Sequence, residues 1–80
     1  MKTILYTSTA RKALMALQPK VRDRLRTKLI RYAESGAGDV TKLQGVEGAR
    51  LRVGEYRIVL VETEDTIEVR AIGHRREIYR

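Results

Sequence analysis

The sequence predicts an α+β domain of element order β-α-α-β-β-β, with a hairpin of helices packed on one face of a small, mainly antiparallel sheet. Three observations predict it. Apolar residues recur at helical spacing as far as Ala33 and at strand spacing from Arg50 onward. The lone proline, Pro19, stands where a second helix would begin. Two turn signals, Gly54-Glu55 and Glu64-Asp65, then divide the second half into three short runs.

The elements follow in order. Lys2 to Thr7 is a short apolar run that reads as a strand. Ser8 or Thr9 offers an N-cap, and Ala10, Ala13, Leu14 and Leu17 recur at the spacing of one helix face. Pro19 opens the second helix, because a first-turn N–H has no intrahelical partner to lose. Val21, Leu25, Leu29, Tyr32 and Ala33 form its apolar stripe, and Lys and Arg residues occupy its other sides. Ser35-Gly36-Ala37-Gly38-Asp39 ends it. Arg50 to Val53, Tyr56 to Val61 and Thr66 to Ile72 then alternate or run continuously apolar, as strands do.

Eighty residues make one domain, expected to span 1–80, and a chain of this size buries only about 60% of its unfolded surface. Hydrophobic residues at 42% and charged residues at 34% suit a folded domain rather than a disordered one. With no Cys, disulfides, thiolate metal sites and a cysteine nucleophile are excluded, which suits a reducing cytoplasm. One His excludes any site needing two imidazoles. No apolar run approaches the roughly 20 residues of a membrane span, so no membrane partner is expected. Glu62, Glu64 and Asp65 crowd a turn and read as solubility rather than a metal cage, so neither metal nor cofactor is expected.

Charge points further. Seventeen Lys and Arg against ten Asp and Glu leave +7, a potential that attracts polyanions. Lys20, Arg22, Arg24, Arg26, Lys28 and Arg31 form one basic run on the second helix. The second region, Arg50, Arg52, Arg57, Arg70, Arg75, Arg76 and Arg80, uses Arg alone. The planar guanidinium grips phosphate through two parallel bonds, whereas Lys is a solvated point charge.

Pairing the hairpins residue by residue sharpens this. A two-residue loop at Gly54-Glu55 sets Val53 opposite Tyr56, Arg52 opposite Arg57, Leu51 opposite Ile58 and Arg50 opposite Val59. A second at Glu64-Asp65 sets Glu62 opposite Ile67, Leu60 opposite Val69, Val59 opposite Arg70 and Ile58 opposite Ala71. One face collects Leu51, Val53, Tyr56, Ile58, Leu60, Ile67, Val69 and Ala71, a core for the helices. The other collects Arg50, Arg52, Arg57, Arg70 and His74 around Val59, Val61 and Ile72. Directly opposed arginines cost a strand pair a few tenths to about 1 kcal/mol. Folding gains nothing from that, and a phosphate chain laid across them reverses the sign. In the tail, His74 has the intrinsic pKa of a general acid or base, and Tyr79 could serve if nearby arginines lower its own. Gly73 is a candidate bulge.

Leu43-Gln44-Gly45, the segment Gly48-Ala49-Arg50-Leu51-Arg52-Val53-Gly54-Glu55-Tyr56-Arg57-Ile58-Val59, and the ending Gly73-His74-Arg75-Arg76-Glu77-Ile78-Tyr79 together resemble the RelE branch of the RelE/ParE toxin superfamily. The resemblance spans essentially the whole chain. It implies a cytoplasmic toxin of a type II toxin–antitoxin system, a metal-independent endoribonuclease that cuts mRNA on the ribosome. It further implies neutralisation by a co-encoded antitoxin in a hetero-oligomer. By position, Arg50 and Arg52 would hold the RNA backbone, with Arg70 and Arg76 beside them, and Arg57 and Arg75 would stabilise the transition state. Tyr79 falls on the family's C-terminal tyrosine, so Tyr79 and His74 complete the catalytic candidates. The helix bases Lys20 to Arg31 become a candidate ribosome-docking run. Where RelE has lysines, this chain has Arg50, and a guanidinium whose pKa stays above about 12 moves protons poorly. The ParE branch shares the fold but acts on DNA gyrase, and an inactive RNA- or antitoxin-binding regulator is the third reading.

Overall fold

The computed structural model describes residues 1–74. Its elements are β1 (Thr3–Tyr6), α1 (Ser8–Ala16), α2 (Pro19–Ser35), β2 (Asp39–Lys42), β3 (Ala49–Val53), β4 (Tyr56–Glu62) and β5 (Thr66–His74). The strands form one five-stranded sheet in the order β1-β5-β4-β3-β2. β1 runs parallel to β5, and every other pair is antiparallel, so the sheet is mixed.

Local chemistry accounts for the helices. Thr7, rather than Ser8 or Thr9, is the N-cap of α1, and its hydroxyl accepts from the Ala10 N–H at 3.1 Å. Pro19 occupies the first turn of α2 as its missing N–H predicts. Gly36 ends α2 at φ 76°, a left-handed conformation open to glycine, and its N–H reaches the Tyr32 carbonyl at 2.8 Å. Ala10, Leu14, Leu25, Leu29 and Ala33 are buried from the helix side against Leu51, Val53, Ile58, Leu60, Ile67, Val69 and Ile72 of the sheet. α1 lies over β1 and β5, and α2 over β1 and β3. Tyr32 of α2 then donates to Glu62 of β4 at 2.5 Å, and Lys2 Nζ, just before β1, pairs with the same carboxylate at 2.5 Å, pinning all three together.

The β3–β4 register is the one the Gly54-Glu55 turn predicts: Val53 faces Tyr56, Arg52 faces Arg57, Leu51 faces Ile58 and Arg50 faces Val59. Gly54 has φ 59° and no other residue type among those described has a positive φ, the pattern of a turn with glycine in its first loop position.

Three expectations are corrected. A fourth antiparallel-sheet strand, β2, follows the α2 terminator, giving β-α-α-β-β-β-β. It is a short edge strand with one apolar residue, Val40, so its alternation carries almost no signal. The second hairpin keeps Glu62 opposite Ile67 and Leu60 opposite Val69, but the register then shifts between Val59 and Leu60. Val59 faces Ala71 and Ile58 faces Ile72, leaving Arg70 as the extra residue of a bulge. One inserted residue exchanges the faces of everything after it. Ile72 is therefore buried in the core, Ala71 turns to the opposite face, and His74 lies opposite Tyr56. The bulge sits at Arg70 and not at Gly73.

Candidate functional site

Strand alternation on β3 sends Leu51 and Val53 into the core and Arg50 and Arg52 to the helix-free face. On β4, Ile58 and Leu60 point inward and Arg57 outward, directly across from Arg52. β2 completes the site from the edge, with Asp39 facing Arg52 and Thr41 facing Arg50. Asp39, Thr41, Arg50, Arg52 and Arg57 line one cleft of about 190 Å³. Asp39 and Thr41 are absent from the sequence-derived set because β2 itself is. The single apolar residue in Asp39-Val40-Thr41-Lys42 leaves almost no signal by which to find them.

The three arginines differ in setting. Arg52 is exposed and Arg50 half-buried, whereas Arg57 is only 7% exposed. Arg57 Nη1 donates to the carbonyls of Gly54 and Tyr56 at 3.3 and 3.2 Å, so the hairpin turn orients its guanidinium. A buried guanidinium already directed by carbonyls loses little freedom when an anion arrives. The cleft thus sets a guanidinium held by backbone carbonyls beside those of Arg50 and Arg52.

Other sequence-derived residues go elsewhere. Arg70 is on the bulge, and its Nε pairs with Glu68 at 2.8 Å. His74 does not join the arginines: its ring meets Tyr56 edge-on at 5.6 Å, beside Ala13 and Ala16 of α1 and its C-cap Leu17. Arg75, Arg76 and Tyr79 lie outside the described residues.

The basic run of α2 divides by helical phase. Lys20, Arg24, Lys28 and Arg31 form an exposed stripe, and Arg24 extends to the hairpin, where a Cβ on Gly54 would lie 3.4 Å from its Nη1. Arg22 and Arg26 instead reach back to Met15 of α1. The stripe and the cleft therefore meet at the β3–β4 turn, approached from opposite layers.

The pinning cluster at the far end of the sheet is perturbed in its titration. Burial first, then the hydrogen bond to Glu62, pushes the Tyr32 hydroxyl up to about 12. The Lys2 hydrogen bond, with that from Tyr32, holds the Glu62 carboxyl below its ordinary value against a smaller effect of burial.

A family model described as the ParE toxin of type II toxin–antitoxin systems, parDE, matches residues 4–79. The RelB–RelE antitoxin–toxin complex of Methanococcus jannaschii is similar at 30% identity and TM-score 0.77, over 94% of each chain. The isolated RelE toxin of E. coli is similar in fold at 24% identity and TM-score 0.80, over 99% of this chain and 92% of that one. The intact E. coli RelBE complex gives 23% identity and TM-score 0.80, over 92% and 96%. No match is found among curated proteins. With nearly its whole length matched and its helix pair laid on a five-stranded sheet of the same fold, the chain belongs to the ParE toxin family of type II toxin–antitoxin systems, within the RelE/ParE superfamily.

Proposed function

We propose that this toxin is a metal-independent endoribonuclease that cuts mRNA on the ribosome. The observation that carries the reading is the convergence of Arg50, Arg52 and Arg57 on one cleft of the helix-free face, with Arg52 and Arg57 directly opposed. In-line attack of a ribose 2′-hydroxyl on the adjacent phosphate spreads negative charge over the phosphorane oxygens. A held guanidinium placed there stabilises that charge with little reorganisation. Arg57 takes this role with Arg75, and Arg50 and Arg52 grip the flanking backbone, Arg76 and Arg70 lying further along the chain. The products are a cyclic phosphate and a 5′-hydroxyl.

Proton movement falls to Tyr79, beyond the described residues, because guanidiniums do not titrate in range and His74 faces the helix layer. The exposed stripe Lys20, Arg24, Lys28 and Arg31 fits a docking role on ribosomal RNA. Replacing it with neutral residues should weaken ribosome binding and flatten its salt dependence while leaving cleavage of the bound complex unchanged. By analogy with the complexes of its relatives, the partner is a cognate antitoxin in a cytoplasmic hetero-oligomer.

A second reading, a toxin directed at DNA gyrase, is favoured by the ParE description of the matching family. Expression in a sensitive host separates the two. Loss of full-length mRNA, with toe-prints inside translated codons, supports the first; DNA breaks and filamentation with intact mRNA support the second.

A further inference from the structure

One acid stands among the guanidiniums of the cleft. Gly38, at φ 155°, lets the chain enter β2 hard against β3, where an added Cβ would lie 3.0 Å from Leu51 Cδ1. The next residue, Asp39, is thereby set opposite Arg52, and Arg52 is in turn opposite Arg57. A carboxylate and a guanidinium directly opposed on neighbouring strands are placed to close an ion pair. Among the described residues neither Asp39 nor Arg52 forms one, and both are exposed. Both therefore face a guest. An ionised carboxylate only accepts hydrogen bonds and repels phosphate, so what reaches Asp39 brings N–H or O–H groups and not the backbone of a nucleic acid. Strands lie about 4.8 Å apart, which puts the Asp39 backbone two spacings, about 10 Å, from that of Arg57. A ribose hydroxyl stays closer than that to its own phosphate. A base edge reaches that far.

We propose that Asp39 is a specificity-determining residue that reads the base-pairing edge of a guanine in single-stranded RNA lying across the cleft. The proposal rests on RNA occupying the arginine cleft and not on its cleavage. Guanine alone presents two adjacent donors, N1–H and the 2-amino group, to the two oxygens of one carboxylate. Its neighbouring O6 accepts from Arg52, whose five N–H donors leave others for phosphate. Adenine and cytosine turn a ring-nitrogen acceptor towards the carboxylate, and uracil offers a single donor between two carbonyls. A carboxylate opposes each of those three edges with an unpaired acceptor, which is how a buried polar mismatch rejects the wrong ligand. Among the described residues the cleft lining holds no aromatic ring, so edge hydrogen bonds and not stacking set the choice of base there.

The probes are short 2′-fluoro-oligouridylates carrying one central guanosine, inosine or adenosine of the same sugar type, titrated into the full chain at low salt. The parent should bind the guanosine strand about tenfold tighter than the adenosine strand, with inosine, which lacks the 2-amino group, between them. Asp39→Ala should bring the three strands to one affinity. Asp39→Asn, whose amide donates as well as accepts, should turn the preference towards adenosine, and being isosteric it keeps the test valid where alanine loosens β2. Equal binding of the three strands by the parent, or binding of none, overturns the proposal. So does a uniform change in all three affinities on Asp39→Ala, which would make the acid a counter-ion of Arg52 and nothing more. These strands have no 2′-hydroxyl to attack, so failure of the nuclease reading shows up only in the mRNA assay.

Discussion

The Thr7 hydroxyl donates to the Arg70 carbonyl at 3.2 Å, at the point where β5 carries one residue more than β4. The same oxygen accepts the Ala10 N–H, and the Thr7 N–H reaches the Val69 carbonyl at 3.0 Å. One threonine thus caps α1 and clasps the bulge that decides which face the end of β5 presents.

Thr7→Val removes both side-chain bonds at nearly constant shape. It should cost about 1–2 kcal/mol, the upper range for a lost N-cap, and Thr7→Ser should recover most of it. Urea unfolding measures both, and equal stability of the valine and serine variants would deny the clasp any energetic role.

Arg52→Gln relieves the repulsion across the β3–β4 pair. Stability should stay level or rise by a few tenths of a kcal/mol. RNA affinity should fall, and the slope of log affinity against log salt should shrink by about one phosphate contact. A clear drop in melting temperature would mean that the opposed arginines support the fold.

Arg57→Lys keeps the charge but cannot hold the Gly54 and Tyr56 carbonyls while presenting a planar fork. Cleavage on the ribosome should fall about 10²-fold or more, as for removal of a preorganised donor. Tyr79→Phe should lower the rate while sparing RNA affinity. If His74→Gln alone abolished cleavage, the proton would belong to the imidazole in spite of its place under α1.

The Glu62 carboxyl is held below its unfolded value, so its stabilising effect is fully present above the ordinary glutamate range. It fades as pH falls through the lowered folded value. Tyr32 acts in the opposite sense. Its contribution is complete below its unfolded value of 10.0 and fades as pH rises through about 12. Glu62→Gln should therefore flatten the acid limb of melting temperature against pH, and Tyr32→Phe the alkaline limb. Scans of melting temperature from pH 2 to neutrality and above pH 10 check each.

Much of the site was legible because its signals are local. Alternation along Arg50-Leu51-Arg52-Val53 and the glycine at Gly54 are short-range constraints, and together they place Arg52 against Arg57 without any knowledge of the fold. The apolar stripe Leu25, Leu29 and Ala33 is equally local, since helical geometry alone puts those residues on one side. Register beyond the bulge was not legible. A period of two assumes no inserted residue, and the residue inserted at Arg70 has no compositional mark, so simple alternation puts Ile72 and His74 on the wrong side.

By itself, then, the order of residues determined the helix pair, the central hairpin and the guanidiniums that share its outer surface. Only tertiary structure decided the pairing of β1 with β5, the edge strand that brings Asp39 to the cleft, and the partition of the α2 bases between solvent and Met15. The physical reason is reach. Periodicity and turn chemistry act over a few residues, whereas these three features depend on chain segments brought together by burial of a common core.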